Sequence, residues 1–178
     1  METMGFAVCD ADRVAHRLMK KGEPVYRRIV GRFGTGILAE DGEIARPVLG
    51  QLVFEDPRER TALERLVHPP VRRALERWIA AQRKGNASAA ALIPLLFESG
   101  MDDLDFDAVV CVSSGEEQML RRLEARGMGR GDALKRIRAQ MPLAEKEARS
   151  DRVVPNRGTL QELEEAVRRT VKRIELER

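Results

Sequence analysis

The sequence has few aromatic residues and few cysteines. Phe, Trp and Tyr make up 4% of its 178 residues, with one Trp and one Tyr among them. Proteins that stack nucleic-acid bases on interleaved aromatic side chains need more of them, so a net charge of only +3 does not indicate a nucleic-acid partner. Cys9 and Cys111 lie inside apolar runs without metal or redox spacing, which predicts two buried free thiols in a reducing compartment.

Long apolar runs are also missing. No stretch approaches the roughly 20 residues of a transmembrane helix, and the opening METMGFAVCDAD lacks the basic start of a signal peptide. We therefore expect a cytoplasmic protein without a membrane partner. Hydrophobic residues account for 43% of the chain and charged residues for 34%, a composition typical of one globular domain with a full core.

Four short apolar segments predict β-strands: FAVCD, AAALIPLLFE, DAVVCVS and DRVVPN. None alternates apolar with polar residues, as is typical of parallel strands buried on both faces. Helical stretches separate the segments, as in βαβ units. The sequence therefore predicts an α/β fold in which a three-layer parallel sheet is flanked by helices.

Several helix ends can be predicted from capping residues. Asp12 is expected to cap a helix that Gly22 ends, and Pro24 to start a helix that runs to about Phe33. Capping boxes are expected at Asp56 with Glu59, Ser114 with Glu117, and Thr159 with Glu162.

Acidic residues follow two of the predicted strands. Asp10 and Asp12 are two positions apart, so in an extended segment both would face one site at the carboxyl end of the strand. A carboxylate there could take a proton from a substrate hydroxyl or help to hold Mg²⁺. Alternatively, Asp12 is a helix cap and Asp10 a solvated turn residue. Glu98 is expected to end its strand as Asp10 does, or to be an ordinary polar residue at a strand end.

A histidine precedes two prolines in LVHPPV. Because a residue before proline is disfavoured in helical conformation, His68 is expected in an extended bend before the next helix. An imidazole there could bind a phosphate or a carboxylate. The alternative is a histidine that packs at a helix junction.

Arginines are concentrated in RRLEARGMGRGDALKRIRAQ. Arg122 and Arg126 are four residues apart, as on one helix face, and further arginines follow a glycine-containing turn. A mobile segment with forked donors suits a lid that stabilises charge on phosphate oxygens. A solubilising basic surface would have the same composition.

Taken in order, DADRVAH, LVHPPV, IPLLFE, the segment from LRRLEARG to SDRVV, and PN before a final helix resemble the dephospho-CoA kinase family. The resemblance covers nearly the whole chain, from about Gly5 to the last helix. It implies ATP-dependent phosphorylation of the 3′-hydroxyl of dephospho-CoA, the last step of coenzyme A synthesis, with Mg²⁺. Its partners would be these small molecules, not nucleic acid, and the protein would be a monomer or small homo-oligomer.

The resemblance also implies roles for particular residues. Asp10 would be the catalytic carboxylate and a possible Mg²⁺ ligand. The acceptor would be bound by Asp12, His68 and Glu98, the phosphates by the lid residues Arg122, Arg126, Arg136 and Gln140, and the adenine side would be bordered by Asp151 and Asn156. Pro155 stands where the family commonly has an acid. The implied single domain has a core of 5–22, 86–127 and 151–178, a helical acceptor-binding insert of about 23–85, and a lid of about 128–150.

One feature of the family is missing from this sequence. The family begins with a strand, a phosphate-binding P-loop and a helix, and that strand is central in its sheet, yet no G-x-x-x-x-G-K-[ST] occurs in the 178 residues. METMG is typical of a last helical turn closed by Gly5. We therefore expect an N-terminally truncated chain with impaired phosphate transfer. The alternative is a non-catalytic remnant that binds dephospho-CoA or a protein partner.

Overall fold

The computed structural model describes residues 1–177. The chain divides into two compact units, residues 1–94 and the part from residue 95 onward, which are described separately. The first unit contains β1 (Ala7–Asp10), α1 (Ala11–Leu18), α2 (Pro24–Phe33), α3 (Arg46–Glu55), α4 (Pro57–Lys84) and β2 (Ala89–Leu92). The second contains β3 (Val110–Ser113), α5 (Glu116–Glu124), α6 (Arg130–Arg138), α7 (Leu143–Ala148), β4 (Arg152–Pro155) and α8 (Leu160–Leu176).

The strands form two separate parallel pairs. β1 pairs with β2, so that Asp10 lies beside Leu92, and β3 pairs with β4, so that Ser113 lies beside Pro155. The predicted α/β fold with parallel strands and flanking helices is confirmed. Within the described residues, each strand has one neighbour, so each pair keeps two unpaired edges.

Helix α4 organises the first unit. It contacts α1, α2, α3 and both strands of the unit. Its buried side chains include Leu75 and Ile79, and α2 contributes Val25 and the fully buried Ile29 to the same core. Burying a large aliphatic side chain stabilises a fold by about 1.5–3 kcal/mol. The core of this unit therefore depends on α4.

The predicted break at the two prolines is wrong. Helix α4 continues through Pro69 and Pro70, so His68 is helical and half-buried. A proline within a helix removes a backbone hydrogen bond and disfavours helical backbone at the preceding residue. The burial of Val67, Pro70 and Val71 on the face of α4 outweighs these local costs.

Helix caps were predicted with mixed success. Thr159 and Glu162 form the expected capping box, and Asp56 caps α4 by accepting a hydrogen bond from the backbone N–H of Arg58. Glu59, however, pairs with Arg32 at 2.6 Å, an interaction outside the local pattern. At α5, Gly115 is the N-cap and no side chain caps the helix, so the prediction of Ser114 as the cap is wrong.

The second unit is built around the β3–β4 pair. Helix α8 contacts β4, α7 contacts β3, and α5 packs against α6. Val154, Leu120 and Ala133 are buried, but Val110 and Val112 of β3 are 39% and 52% exposed. A parallel pair is normally covered by further structure, so these valines present an uncovered apolar surface.

Two smaller features of the fold bear on the sequence predictions. Residues Glu2–Met4 form a 3₁₀ turn closed by Gly5 with φ of 81°, as predicted from METMG. Cys9 is buried, whereas Cys111 is half-buried; both are free thiols, and burial raises the pKa of each. No helix within residues 1–177 combines the length and apolar character needed to cross a membrane.

Candidate active site

Asp10 lies at the point where β1 becomes α1. It is the last residue of the strand and also the N-cap of the helix: its Oδ1 accepts a hydrogen bond from the backbone N–H of Arg13 at 3.1 Å. Its Oδ2 lies 3.8 Å from Nε of Arg13, and the side chain is 34% exposed. The cap fixes one oxygen and the orientation of the carboxylate, and the side chain remains partly open to solvent.

Asp12 has neither of the two structural positions that its spacing predicts. It lies in the first turn of α1 and is exposed, so the predictions that it caps this helix and shares a strand face with Asp10 are wrong. The strand ends before Asp12, so the two-residue alternation no longer applies. An acid in the first turn is still favourable because it faces the positive end of the helix dipole. The predicted role of Asp12 in acceptor binding stays a prediction.

Glu98 is not at the end of a strand. Strand β2 ends at Leu92, and Glu98 belongs to the turns that follow it. Its Oε1 lies 2.7 Å from Nζ of Lys146 and accepts a hydrogen bond from the backbone N–H of Met141 at 3.0 Å. These two contacts tie Glu98 to the segment that contains α7. The predicted role of Glu98 in binding the acceptor substrate stays a prediction.

A second contact joins the same turns to α7 and the residues beside it. Arg149 pairs with Asp102 at 2.6 Å, and its guanidinium carbon lies 4.4 Å from the centre of the Phe97 ring. Such a cation–π contact contributes about 0.5–2 kcal/mol. Together with the Glu98–Lys146 pair, it ties the region that the sequence predicts as the lid to the turns after residue 94.

The Glu98 carboxylate has a perturbed acidity. Burial acts to raise its pKa, but the hydrogen bonds from Lys146 and from the backbone of Glu98 and Met141 outweigh burial, so the pKa lies below its usual value. A lowered pKa in the folded state stabilises the fold above the unfolded-state pKa, and this contribution is lost as the pH falls through the folded-state value. The ion pair and hydrogen bonds of Glu98 therefore stabilise the fold at neutral pH, and this stabilisation is lost in acid.

Replacing Lys146 with Met is expected to destabilise the second unit by about 1–3 kcal/mol, because the Glu98 side chain, which is 21% exposed, would lose its ion-pair partner and keep only backbone donors. Urea unfolding measures this change. Lys135→Met is the matched control, since that lysine is 70% exposed and pairs with Asp132 on its own helix. Adding Glu98→Gln to Lys146→Met should recover part of the loss, and an equal loss in all three variants would contradict the prediction.

Arg122 and Asn156 are brought together. Arg122 Nη2 donates to Oδ1 of Asn156 at 2.9 Å, and Nη1 donates to Oγ of Ser114 at 3.0 Å. Ser114 in turn donates to the backbone carbonyl of Asn156 at 3.1 Å. The residues that follow the carboxyl ends of β3 and β4 are thus linked to each other. Ser114 was missed as a site residue because its sequence context resembles a helix cap.

Two of the arginines predicted to belong to a lid are exposed, and the two residues predicted to border the adenine lie apart. Arg126 and Arg136 are exposed, and no ion pair to either is present within residues 1–177. Asp151 lies before β4 and accepts a hydrogen bond from the N–H of Val109 at 2.7 Å, whereas Asn156 lies after β4. Asp151 and Asn156 are therefore at opposite ends of β4, and their place on the adenine side stays a prediction. Gln140 accepts a hydrogen bond from Lys146 at 3.4 Å.

Two solved structures are similar to this fold. The crystal structure of TT1252 from Thermus thermophilus is similar with a TM-score of 0.74 and 34% identity, over 97% of this chain and 86% of that one. Dephospho-CoA kinase from Campylobacter jejuni shares the fold with a TM-score of 0.68. The structure thus has the α/β fold of P-loop kinase-like transferases.

The sequence comparisons give the particular family. The family model for dephospho-CoA kinase matches residues 1–162. The dephospho-CoA kinase of Geobacillus kaustophilus is 44% identical over 91% of this chain and 81% of its own length, and that of Symbiobacterium thermophilum is 42% identical over 88% of this chain and 66% of its own length. The chain belongs to the dephospho-CoA kinase family, whose transferase activity with ATP completes coenzyme A biosynthesis.

Proposed function

We propose that this chain contains the acceptor-activating and lid parts of a dephospho-CoA kinase, with Asp10 as the general base. The observation that carries the proposal is the position of Asp10 at the carboxyl end of a parallel strand, where α/β sheets bind ligands. The hydrogen bond from the backbone N–H of Arg13 orients the Asp10 carboxylate, which is partly exposed. In this role it takes the proton of the 3′-hydroxyl, O3′ forms a bond to the γ-phosphorus of ATP, and the bond from that phosphorus to the β-phosphate oxygen breaks, so that ADP leaves.

The residues around Asp10 fit a Mg²⁺ ion that would be held mainly by the phosphate oxygens of ATP. Within residues 1–177 no cluster of three or more His, Cys, Asp or Glu side chains could hold a metal. Mg²⁺ is commonly held by one or two carboxylates together with phosphate oxygens and water. Asp10 offers one such carboxylate, and the ion would supply neutralisation of the phosphate charge.

The other residues would bind the phosphates, position the Asn156 loop or bind the acceptor. Arg126 and Arg136, exposed and without an ion pair within residues 1–177, would bind phosphate oxygens when the lid region closes. Arg122 would hold Asn156 and its loop in place through the contacts described above. His68 and Asp12 would bind the acceptor. The protein would act on these small molecules in the cytoplasm, as a monomer or small homo-oligomer.

The proposed function is tested by the identity of the product. A suitable protein is the P-loop hybrid, defined as this chain preceded by the strand, P-loop and helix of a dephospho-CoA kinase that contains them. With ATP, Mg²⁺ and dephospho-CoA it should form coenzyme A, recognised by mass spectrometry and by phosphorus NMR of a 3′-phosphate. Phosphorylation at another hydroxyl, or no transfer to dephospho-CoA, would contradict the proposal.

A further inference from the structure

A basic pocket lies beside α1 in the first unit. It is an open surface pocket of about 300 Å³, lined by His16, Met19, Lys20, Glu43, Ile44 and Arg46. His16 belongs to α1, Lys20 follows that helix, and Arg46 is the first residue of α3. The pocket therefore collects basic side chains from two elements, and none of these side chains has a part in the site described above.

The charges in the pocket are not neutralised by ion pairs. Within residues 1–177 neither Lys20 nor Arg46 forms an ion pair with a carboxylate. Glu43 is the acid in the lining, and its Oε2 is engaged by the backbone N–H of Lys21 at 3.0 Å. Forked guanidinium donors and an ammonium group without carboxylate partners are suited to a phosphate group.

The hydrogen bond between Arg46 and His16 adds another donor. Nη1 of Arg46 lies 3.1 Å from Nδ1 of His16. Because a guanidinium can only donate, Nδ1 must accept, and the ring proton is then carried by Nε2. His16 is thereby set as a donor for a further acceptor. Helix α3, which Arg46 begins, has no side-chain cap and no acid in its first turn, so its positive end adds to the potential.

We propose that this pocket binds a diphosphate group, and that this group is the 5′-diphosphate of dephospho-CoA. The assignment to dephospho-CoA rests on the proposed function. Helix α1 rises by about 1.5 Å per residue, so His16 is about 9 Å along the axis from Asp10. The 3′-hydroxyl and the 5′-diphosphate of the acceptor are separated by one ribose, a spacing that can bring the hydroxyl to Asp10 while the diphosphate occupies the pocket.

The test compares diphosphate ligands on the chain itself by isothermal titration calorimetry. Inorganic pyrophosphate and dephospho-CoA should both bind, Arg46→Gln should weaken each by about ten-fold or more, and Lys20→Gln should act in the same direction. Glu43→Gln should tighten binding because it removes the acid and keeps an acceptor for Lys21. Pantetheine, which has no phosphate, should show no dependence on Arg46. Arg28→Gln is the charge-matched control, on an exposed arginine of α2.

The outcomes separate this proposal from the proposed function. Unchanged affinity of Arg46→Gln for pyrophosphate and dephospho-CoA would overturn the diphosphate site, even if the P-loop hybrid still makes coenzyme A. Weakened pyrophosphate binding with unchanged dephospho-CoA binding would overturn the assignment to the acceptor. In the hybrid, Arg46→Gln should raise the KM for dephospho-CoA and leave kcat near its original value. If the hybrid makes no coenzyme A while pyrophosphate binding depends on Arg46, the proposed function fails and the anion site stands.

Discussion

The P-loop hybrid is expected to phosphorylate dephospho-CoA at least about 10³-fold faster than this chain alone. A P-loop provides backbone N–H groups that cradle the phosphates, a lysine for the β- and γ-phosphates, and a hydroxyl for Mg²⁺. Removing a single such donor from a site that stabilises developing charge costs about 10²–10³-fold in rate. The 178 residues contain no equivalent motif. Coupled ADP release with saturating ATP and dephospho-CoA measures the difference.

The control for this experiment is the same hybrid with its loop lysine changed to alanine. It keeps the added strand, the helix and the backbone cradle, so the activity that it loses relative to the hybrid comes from the contact of the lysine with the phosphates and not from a change in the stability of the fold. A rate for the chain alone that is within ten-fold of the hybrid would show that other residues bind the phosphates. Binding of dephospho-CoA to both the chain and the hybrid, with transfer by neither, would support the alternative of a binding protein.

Replacing Asp10 with Asn in the hybrid is expected to lower kcat by about 10²–10⁴-fold, the usual contribution of a general base. An asparagine is also a good N-cap and its oxygen can still accept the N–H of Arg13, so α1 should keep its stability. The KM for dephospho-CoA and the Tm should therefore change little. Steady-state kinetics and thermal unfolding of the same preparation measure both effects.

Two further variants separate catalysis from capping. Asp10→Ala loses the cap as well as the base, so it should be about 1 kcal/mol less stable than Asp10→Asn and no more active. Asp12→Asn removes the same charge two residues later and should raise the KM for dephospho-CoA with kcat kept. A kcat for Asp10→Asn close to that of the unmodified hybrid would mean that Asp10 is only a helix cap.

The sequence was sufficient for the elements whose signals are local. Each of the four strands lies within one of the apolar runs that predict it, although β2 ends at Leu92 and is shorter than its run. The capping box at Thr159 has both of its partners within three residues, and it forms. The basic segment contains two helices, α6 and α7, and Pro142 is the N-cap of the second.

The errors occur where a distant partner decides the structure. Glu59 has the right spacing for a capping box but pairs with Arg32, which lies 27 positions earlier. Glu98 follows an apolar run, yet Lys146 and Met141 fix its position, and no periodicity in the sequence connects them. The diphosphate pocket was missed for the same reason, since His16 and Arg46 meet only when α1 and α3 are in place.

The two prolines within α4 have a consequence for how the first unit folds. An isolated helix loses about 3 kcal/mol for each interior proline, so the local sequence preferences of α4 do not favour one continuous helix. It must assemble together with α1, α2 and α3, against which it packs. The longest helix within residues 1–177 therefore depends on its packing partners, and not on its own sequence preferences, for its stability.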